Sequence, residues 1–396
     1  MTAFDFDVAI VGLGAMGSAA LAHLSRRGRS AVGLEAYRPA HRLSSSHGDS
    51  RIIRLGYFED PSYVPLLRSA YENWRGLEAE SGKRLLTITG VLQIGHPESP
   101  IVSGTLASCR AHDLEHEVLD SSQMKRRFPA FSLDAEEIAV LEAQGGFLRP
   151  EAAVAAHLDV ARRNGAAIRM AARVSSIEPD DAGVTLVVNG GHLRVRRAVV
   201  ATGPWIGQLV PSLADLATPI RQVVAWYEPK DRQATSLGAM PVFLRDAGAA
   251  GSFFGIPAWD GGGVKVGKHA HFRQVVEDPD LENQPVDEAD LKLLDDFIER
   301  RLPLGAGPRL AADTCRYTML PGEDFLLDRL PGEPNVIVAS PCSGHGYKFA
   351  SVIGEILADL ADLGGTDLPI SAFSFSALAK KAGRSSLASS DAVRAG

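Results

Sequence analysis

Three observations predict an α/β fold, a parallel sheet with helices joined to an α+β part whose sheet is mainly antiparallel. Residues 8–35 read strand, glycine turn, helix, strand, acid. A later apolar run, 335–339, leads through a small-residue turn into a helix and reads as another strand of the same parallel sheet. Between 220 and 310 the texture changes to short strand-like runs followed by one helix.

The opening series is taken first. Val8-Ala9-Ile10-Val11 is a β-branched strand followed directly by Gly12-Leu13-Gly14-Ala15-Met16-Gly17. A small-residue helix from Ser18 to about Arg27 is stopped by Gly28, and Ala31-Val32-Gly33-Leu34 ends on Glu35. In that setting G-x-G-x-x-G carries a mechanism. Gly12 permits the tight turn, Gly14 lets the backbone approach a pyrophosphate, and Gly17 lets helix and strand pack closely. The pyrophosphate sits on the helix N-terminus, where unpaired N–H groups and the dipole favour an anion. Glu35 is placed to accept hydrogen bonds from a ribose, and its charge disfavours a 2′-phosphate. The expected ligand is an adenine dinucleotide other than NADP. The competing reading is a glycine turn that serves backbone geometry alone.

Residues 39–50 form a polar loop ending Ser44-Ser45-Ser46-His47-Gly48-Asp49-Ser50-Arg51, of a kind that carries function more often than core. Residues 63–81 have helical spacing, with Val64, Leu67, Tyr71, Trp74 and Leu77 on one stripe. A strand is expected at 89–94, a short helix within 119–131, and a helix from Pro150 to about Asn164 closed by Gly165. Residues 184–188, Asn189-Gly190 and 193–200 read as a hairpin with a type I′ turn. Its second arm ends Ala201-Thr202-Gly203, a weak signal of a strand passing beneath a flavin cofactor. Strands are expected at 223–228, 241–245, 252–257 and 264–267, then a helix at 288–301. Pro341-Cys342-Ser343-Gly344-His345-Gly346 opens a helix from Tyr347 to about Leu363, giving a second anion-favouring N-terminus. Residues from Lys380 onward are Ser/Ala-rich and read as a flexible tail.

At 396 residues the chain can bury a large core in two domains or one intertwined unit. A net charge of −7 argues against binding of polyanions such as nucleic acid by the whole surface, and the Arg194, Arg196, Arg197 group reads as one strand's solvent side and end. Cys109, Cys315 and Cys342 are an odd set without paired spacing, so neither a disulfide framework nor a structural zinc site is expected. No signal peptide, membrane span or peroxisomal address is read, and a reducing cytoplasm is the expected compartment.

Four blocks resemble the monomeric sarcosine oxidase and N-methyltryptophan oxidase family, in order, spacing and content. They are the glycine motif; Ser46-His47-Gly48-Asp49-Ser50-Arg51-Ile52-Ile53-Arg54; Val264-Lys265-Val266-Gly267-Lys268-His269; and Thr314-Cys315-Arg316-Tyr317-Thr318 with Ser343-Gly344-His345-Gly346-Tyr347-Lys348-Phe349. The resemblance spans residues 6–376, with Val224-Ala225-Trp226-Tyr227 and Gly267-Lys268-His269 leaning towards the N-methyltryptophan branch. It implies a Rossmann-like FAD-binding domain over 1–88, 147–216 and 321–380, a substrate domain over 89–146 and 217–320, and a tail from 381. It also implies a monomeric amine oxidase that uses O2, releases hydrogen peroxide and holds FAD covalently.

Residue roles follow from that resemblance. Cys315 is the implied attachment point, with His47, Arg51 and the adjacent Arg316 as cations near the flavin that favour its thiolate. Gly344, His345 and Gly346 lie by the flavin. Arg54 and Lys348 bind the substrate carboxylate, for which the guanidinium fork is well suited. The competing reading of Arg54 is a salt bridge with an acid such as Asp49, and that of Lys348 a bond to a flavin carbonyl. His269 and Tyr317 line the substrate amine. Lys265 is implied to activate oxygen, against the alternative of a solvated lysine at a strand end. His271 and His345 read as structural, His345 near the flavin, and Cys342 reads as packing. Phe253-Phe254-Gly255-Ile256-Pro257 departs from sarcosine oxidase, which has a tyrosine pair and a phenylalanine there. The loss of a hydroxyl at Phe254 and the smaller Ile256 point to a more apolar pocket, suited to a larger N-methyl amino acid or a cyclic imino acid.

Overall fold

The computed structural model describes residues 4–384. Five strands run parallel in the order Ala167–Met170, Ala31–Glu35, Phe6–Val11, Gly191–Val200 and Glu333–Ala339. Gly191–Val200 is forked. Its first half pairs antiparallel with Gly183–Val188, and its last three residues pair with Val336, Ile337 and Val338. The predicted I′ hairpin is present, with Asn189 at φ 50° and Gly190 at φ 80°.

Strand alternation explains why this sheet has two cores. Val8 and Ile10 face the helices Ala15–Arg26, Pro150–Arg163 and Ala350–Asp362, while Ala9 and Val11 face the Ile206–Leu216 side. Small residues let two of those helices meet closely: a Cβ on Gly354 would lie 2.4 Å from the Cβ of Ala19. The helix expected from Tyr347 begins as a 3-10 turn, Tyr347–Phe349, before Ala350–Asp362.

A second eight-stranded sheet has the order Arg309–Met319, Thr218–Tyr227, Val264–Lys268, Ser252–Ile256, Val242–Asp246, Val91–Gly95, Ile138–Glu142, Glu117–Asp120. Every pairing is antiparallel except Val242–Asp246 with Val91–Gly95. The helix Glu288–Arg301, started by a capping box at Asp287, covers one face with Leu294, Phe297 and Ile298. A three-stranded sheet of Arg51–Ile53, Gly146–Leu148 and Leu86–Ile88 carries the polar loop's exit. The last helix, Phe375–Lys381, extends into the segment expected to be a flexible tail; the rest of that expectation, from residue 385, lies outside the described residues.

Candidate active site

The C-terminal ends of the parallel strands open onto a cavity of about 370 Å³, the place where open α/β sheets bind ligands. Gly12, at φ 90°, has no room for a side chain, since a Cβ would lie 2.7 Å from the Ala201 carbonyl oxygen. Gly17 is packed tighter, with its hypothetical Cβ 1.8 Å from Gly12 O, while that of Gly14 meets only Ser46 Oγ at 3.5 Å. The helix N-terminus therefore opens to the cavity through Gly14. Ser18 is the first residue whose amide closes back into the helix, onto Gly14 O at 3.0 Å. Glu35 lines the cavity with a fixed carboxylate that accepts the Leu13 and Tyr37 amides, each at 2.9 Å.

Four buried polar atoms around this cavity, His41 Nδ1, Ser45 Oγ, Thr202 Oγ1 and Ser340 Oγ, have no protein partner. A buried polar group costs free energy unless paired, so these atoms fit a polar ligand along the cavity. Together with the glycine cradle and Glu35 they fit the FAD expected there.

A second cavity, of about 840 Å³, shares Ser45, Cys342 and Tyr347 with the first. Its walls bring together Arg51, Arg54, Phe254, Ile256, His269, Cys315, Tyr317, Gly344, His345, Gly346 and Lys348. Gly344, at φ 79°, is wedged against two of the others: a Cβ there would lie 2.5 Å from His269 Cε1 and 2.7 Å from Tyr317 Cε2. Cys342, read from sequence as packing, is half-buried where the cavities meet, and its Sγ accepts the Thr318 amide at 3.3 Å.

Three side chains expected near the flavin or the substrate, those of Lys265, His47 and Arg316, are not on these walls. Lys265 is buried behind the loop at 2% exposure, donating to Gly48 O at 2.5 Å, Ser50 O at 3.1 Å and Ser50 Oγ at 3.2 Å. It is therefore not a solvated strand-end lysine. Burial pulls its pKa down to about 7, helped by Arg51. His47 turns to the far side of the same loop, where it meets Asp313 at 3.0 Å and Glu151 at 3.5 Å. Between the two, Arg51 binds the carbonyls of Ser45, His47 and Ser50.

Cys315 is buried, which pushes its thiol pKa up, while Arg51 and Lys265 oppose that rise. Arg316 has a different job from the one expected of it. Alternation along Arg309–Met319 sends its side chain to the opposite face, where it holds Asn283 Oδ1 and the carbonyls of Pro279 and Leu281.

Arg54 is 1% exposed, and its acid partner is Glu59 rather than Asp49. Its Nη2 donates to both Glu59 oxygens at 2.8 and 2.6 Å, Nη1 to Gly56 O at 2.9 Å, and the group lies 4.3 and 4.5 Å from the Tyr57 and Phe58 ring centres. Lys348, 6% exposed, donates to His345 O at 2.5 Å, and burial lowers its pKa to about 7, with Arg54 adding to the effect. His345 has a fixed tautomer. Its Nε2–H donates to Glu323 O at 2.7 Å, so Nδ1 accepts the Tyr57 hydroxyl at 2.5 Å, and burial holds its pKa near 4. His271 pairs with Asp290 at 2.8 Å away from the cavity, in the structural role expected.

Sequence reasoning did not single out Glu59, Tyr57 or Glu323. Tyr57 and Glu59 lie in an irregular segment and Glu323 in a short turn, none with a periodic signal; only their position in space marks them.

Two joined cavities, one shaped for a dinucleotide and one lined by buried cations and apolar side chains, define a dinucleotide-dependent oxidoreductase. Comparison with known proteins narrows this. The family model described as FAD dependent oxidoreductase matches residues 7–360, and the chain belongs to that family. It is 39% identical to monomeric sarcosine oxidase of Streptomyces avermitilis over 93% of this chain and 96% of that protein. It is 34% identical to N-methyl-L-tryptophan oxidase of Yersinia pestis over 93% and 98%. Among solved structures, NikD, an amino acid oxidase, superposes with a TM-score of 0.81 at 24% identity, covering 94% of this chain and 98% of that one. L-proline dehydrogenase from P. horikoshii gives 0.81 at 17%, covering 97% and 100%. The chain is thus an FAD-dependent oxidoreductase with amine and amino acid oxidases as relatives.

Proposed function

We propose that the protein oxidises the C–N bond of a secondary amino acid, an N-methyl amino acid larger and more apolar than sarcosine, with O2 as electron acceptor and hydrogen peroxide as product. The observation that carries this reading is the second cavity, in which two buried cations, Arg54 and Lys348, share walls with Phe254 and Ile256. A buried cation without an anion is costly, and Lys348 has one carbonyl as acceptor, which leaves ammonium protons for a substrate carboxylate. Arg54 takes part by exchanging Glu59 for substrate on Nη2. With the acid group held at that end, the amine reaches towards His269 and Tyr317. Phe254 and Ile256 accommodate an apolar side chain and offer it no hydrogen bond.

FAD, when bound, supplies the hydride acceptor and the route to O2. The protein's part is positioning. The substrate must bind as the neutral amine, and His269 can accept its N–H. Lys265, behind the loop but near enough to Cys315 to oppose the rise of its thiol pKa, would place positive charge on the side of the flavin site where oxygen is reduced. Cys315 is the attachment point for covalent FAD, with Arg51 and Lys265 favouring its thiolate. The imine product hydrolyses in water to amino acid and aldehyde. We read the enzyme as a cytoplasmic monomer; among the described residues no helix is long and apolar enough to cross a membrane. The domain boundaries proposed are those expected from sequence, with the flavin held mainly by the parallel sheet and the substrate by the antiparallel one.

An oxygen-electrode panel tests the reading. N-methyltryptophan, N-methylleucine and pipecolate should each give a higher kcat/KM than sarcosine. Preference for sarcosine refutes the pocket assignment, and preference for pipecolate alone makes the enzyme a cyclic imino acid oxidase.

A further inference from the structure

Arg54 is buried, yet it opens the irregular segment 54–60, where no helix or strand ladder holds the backbone. The peptide that follows it is gripped instead by two side chains of the antiparallel sheet. Glu142, at the end of the Ile138–Glu142 strand, accepts the Leu55 amide on Oε1 at 2.8 Å and the Gly56 amide on Oε2 at 2.7 Å. Gln93, on the adjoining Val91–Gly95 strand, donates from Nε2 to Gly56 O at 3.0 Å. That carbonyl also takes Arg54 Nη1 at 2.9 Å, so the guanidinium rests on the peptide the two residues hold. Gly56 leaves little slack: a Cβ there would lie 3.1 Å from Glu142 Oε2 and 3.3 Å from Gln93 Nε2. Arg54 Nε, buried and without a partner among the described residues, remains as a donor for a ligand.

Strand register explains why Glu142 and Gln93 reach this segment. Glu142 pairs with Val91, and Gln93 pairs with Leu244, which in turn pairs with Phe254. Partners across a ladder, and residues two apart on one strand, share a face of the sheet. Glu142, Gln93, Leu244 and Phe254 therefore share a face, and the last two line the substrate cavity. Their neighbours Leu92, Leu141, Phe243 and Phe253 pack on the other, helix-covered face. Both polar residues are sealed from water, Glu142 at 2% exposure and Gln93 at 0%. Burial pushes the Glu142 carboxyl pKa up, and the Gly56 and Leu55 amides and Arg54 oppose that rise. An apolar residue in its place would leave both amides unpaired.

We propose that Glu142, with Gln93 beside it, is a positioning residue for Arg54. The pair ties the backbone that carries this cation to the sheet face that carries Leu244 and Phe254. It thereby fixes the span between the carboxylate-binding end of the cavity and its apolar wall. This rests on the reading that Arg54 binds the substrate carboxylate, and adds the residues that hold it in place.

The test is a double-mutant cycle on holoenzyme, using the acid of the oxygen-electrode panel with the highest kcat/KM. Kd is read from the concentration dependence of anaerobic flavin reduction. Glu142→Gln sets an NH2 group against one of the two amides and should raise Kd about tenfold, within what a small misplacement of a binding group costs. In the Arg54→Gln background the same change should have no further effect, because the group it positions is gone. Equal losses in both backgrounds mean that Glu142 only supports the fold, and overturn the proposal. An unchanged Kd in Glu142→Gln overturns it too. Hydrogen exchange in substrate-free holoenzyme reads the grip without turnover. The 52–58 peptide should exchange about threefold to tenfold faster in Glu142→Gln, the worth of one hydrogen bond; unchanged exchange refutes the grip. Should Glu142→Gln fail to fold, Gln93→Met carries both measurements, with smaller changes in the same direction. An Arg54→Gln Kd equal to wild type, with exchange still faster in Glu142→Gln, supports the grip and overturns the carboxylate role of Arg54.

Discussion

At the scale of single residues, the two buried lysines set the chemistry. Lys265 and Lys348 both have pKa values near 7, against 10.5 for an ordinary lysine, with burial as the leading cause. For stability the sign is fixed: between about pH 7 and 10.5 the unfolded chain holds protons the native state lacks, so stability rises with pH across that window. Below 7 both states are charged and the burial cost is present in full. For binding the sign is opposite. A carboxylate beside Lys348 favours its charged form, so affinity for an unreactive carboxylic acid analogue should fall as pH rises above 7. Calorimetry in buffers of different ionisation enthalpy should show proton uptake on binding near pH 8. Affinity that is flat from pH 6 to 9 would remove Lys348 from the carboxylate site. Lys265→Met should leave anaerobic reduction nearly intact and slow reoxidation by O2 by about 10²-fold or more, followed by stopped-flow absorbance. Equal losses in both half-reactions would contradict its role.

At the scale of elements, strands and turns decide what each side chain meets. Cys315 and Tyr317 face the cavity and Arg316 does not, because neighbours on one strand point to opposite faces. Adjacency in sequence suggested a cation beside the thiol; the pleat excluded it. The Gly344 turn is equally specific. Gly344→Ala adds a methyl that overlaps His269 and Tyr317 at a positive φ that L-residues rarely adopt. The first cavity is untouched, so the variant should still bind FAD. Its kcat/KM should fall about tenfold or more, through a displaced His269–Tyr317 wall. Normal kinetics would mean that this wall does not contact substrate.

At the scale of the whole molecule, Cys315 lies on the antiparallel sheet while the glycine cradle lies on the parallel one. A covalent bond at Cys315 would therefore tie both sheets to one cofactor. Cys315→Ala should still fold but release its flavin when denatured by acid precipitation, and its thermal midpoint should rise with added FAD, as for any ligand that binds only the native state. The wild type should show neither behaviour; flavin that washes out of wild type in acid would refute attachment.

The parallel sheet, the dinucleotide turn and the I′ hairpin were legible in the sequence because local sterics and hydrophobic periodicity dictate them. Gly12, Gly17 and Asn189-Gly190 act within a few residues of their neighbours, and a glycine's freedom is a property of the residue itself. The resemblance also gathered Arg54, His269, Tyr317 and Lys348 into one expected site, and these residues do share a cavity. What sequence could not supply was the partners. Glu59 replacing Asp49 beside Arg54, Glu323 between two histidines, and His47 turned away towards Glu151 and Asp313 depend on where distant segments cross. Periodicity reports which face a side chain takes on its own element, but a charge pair is made between elements, and only tertiary packing fixes its distance.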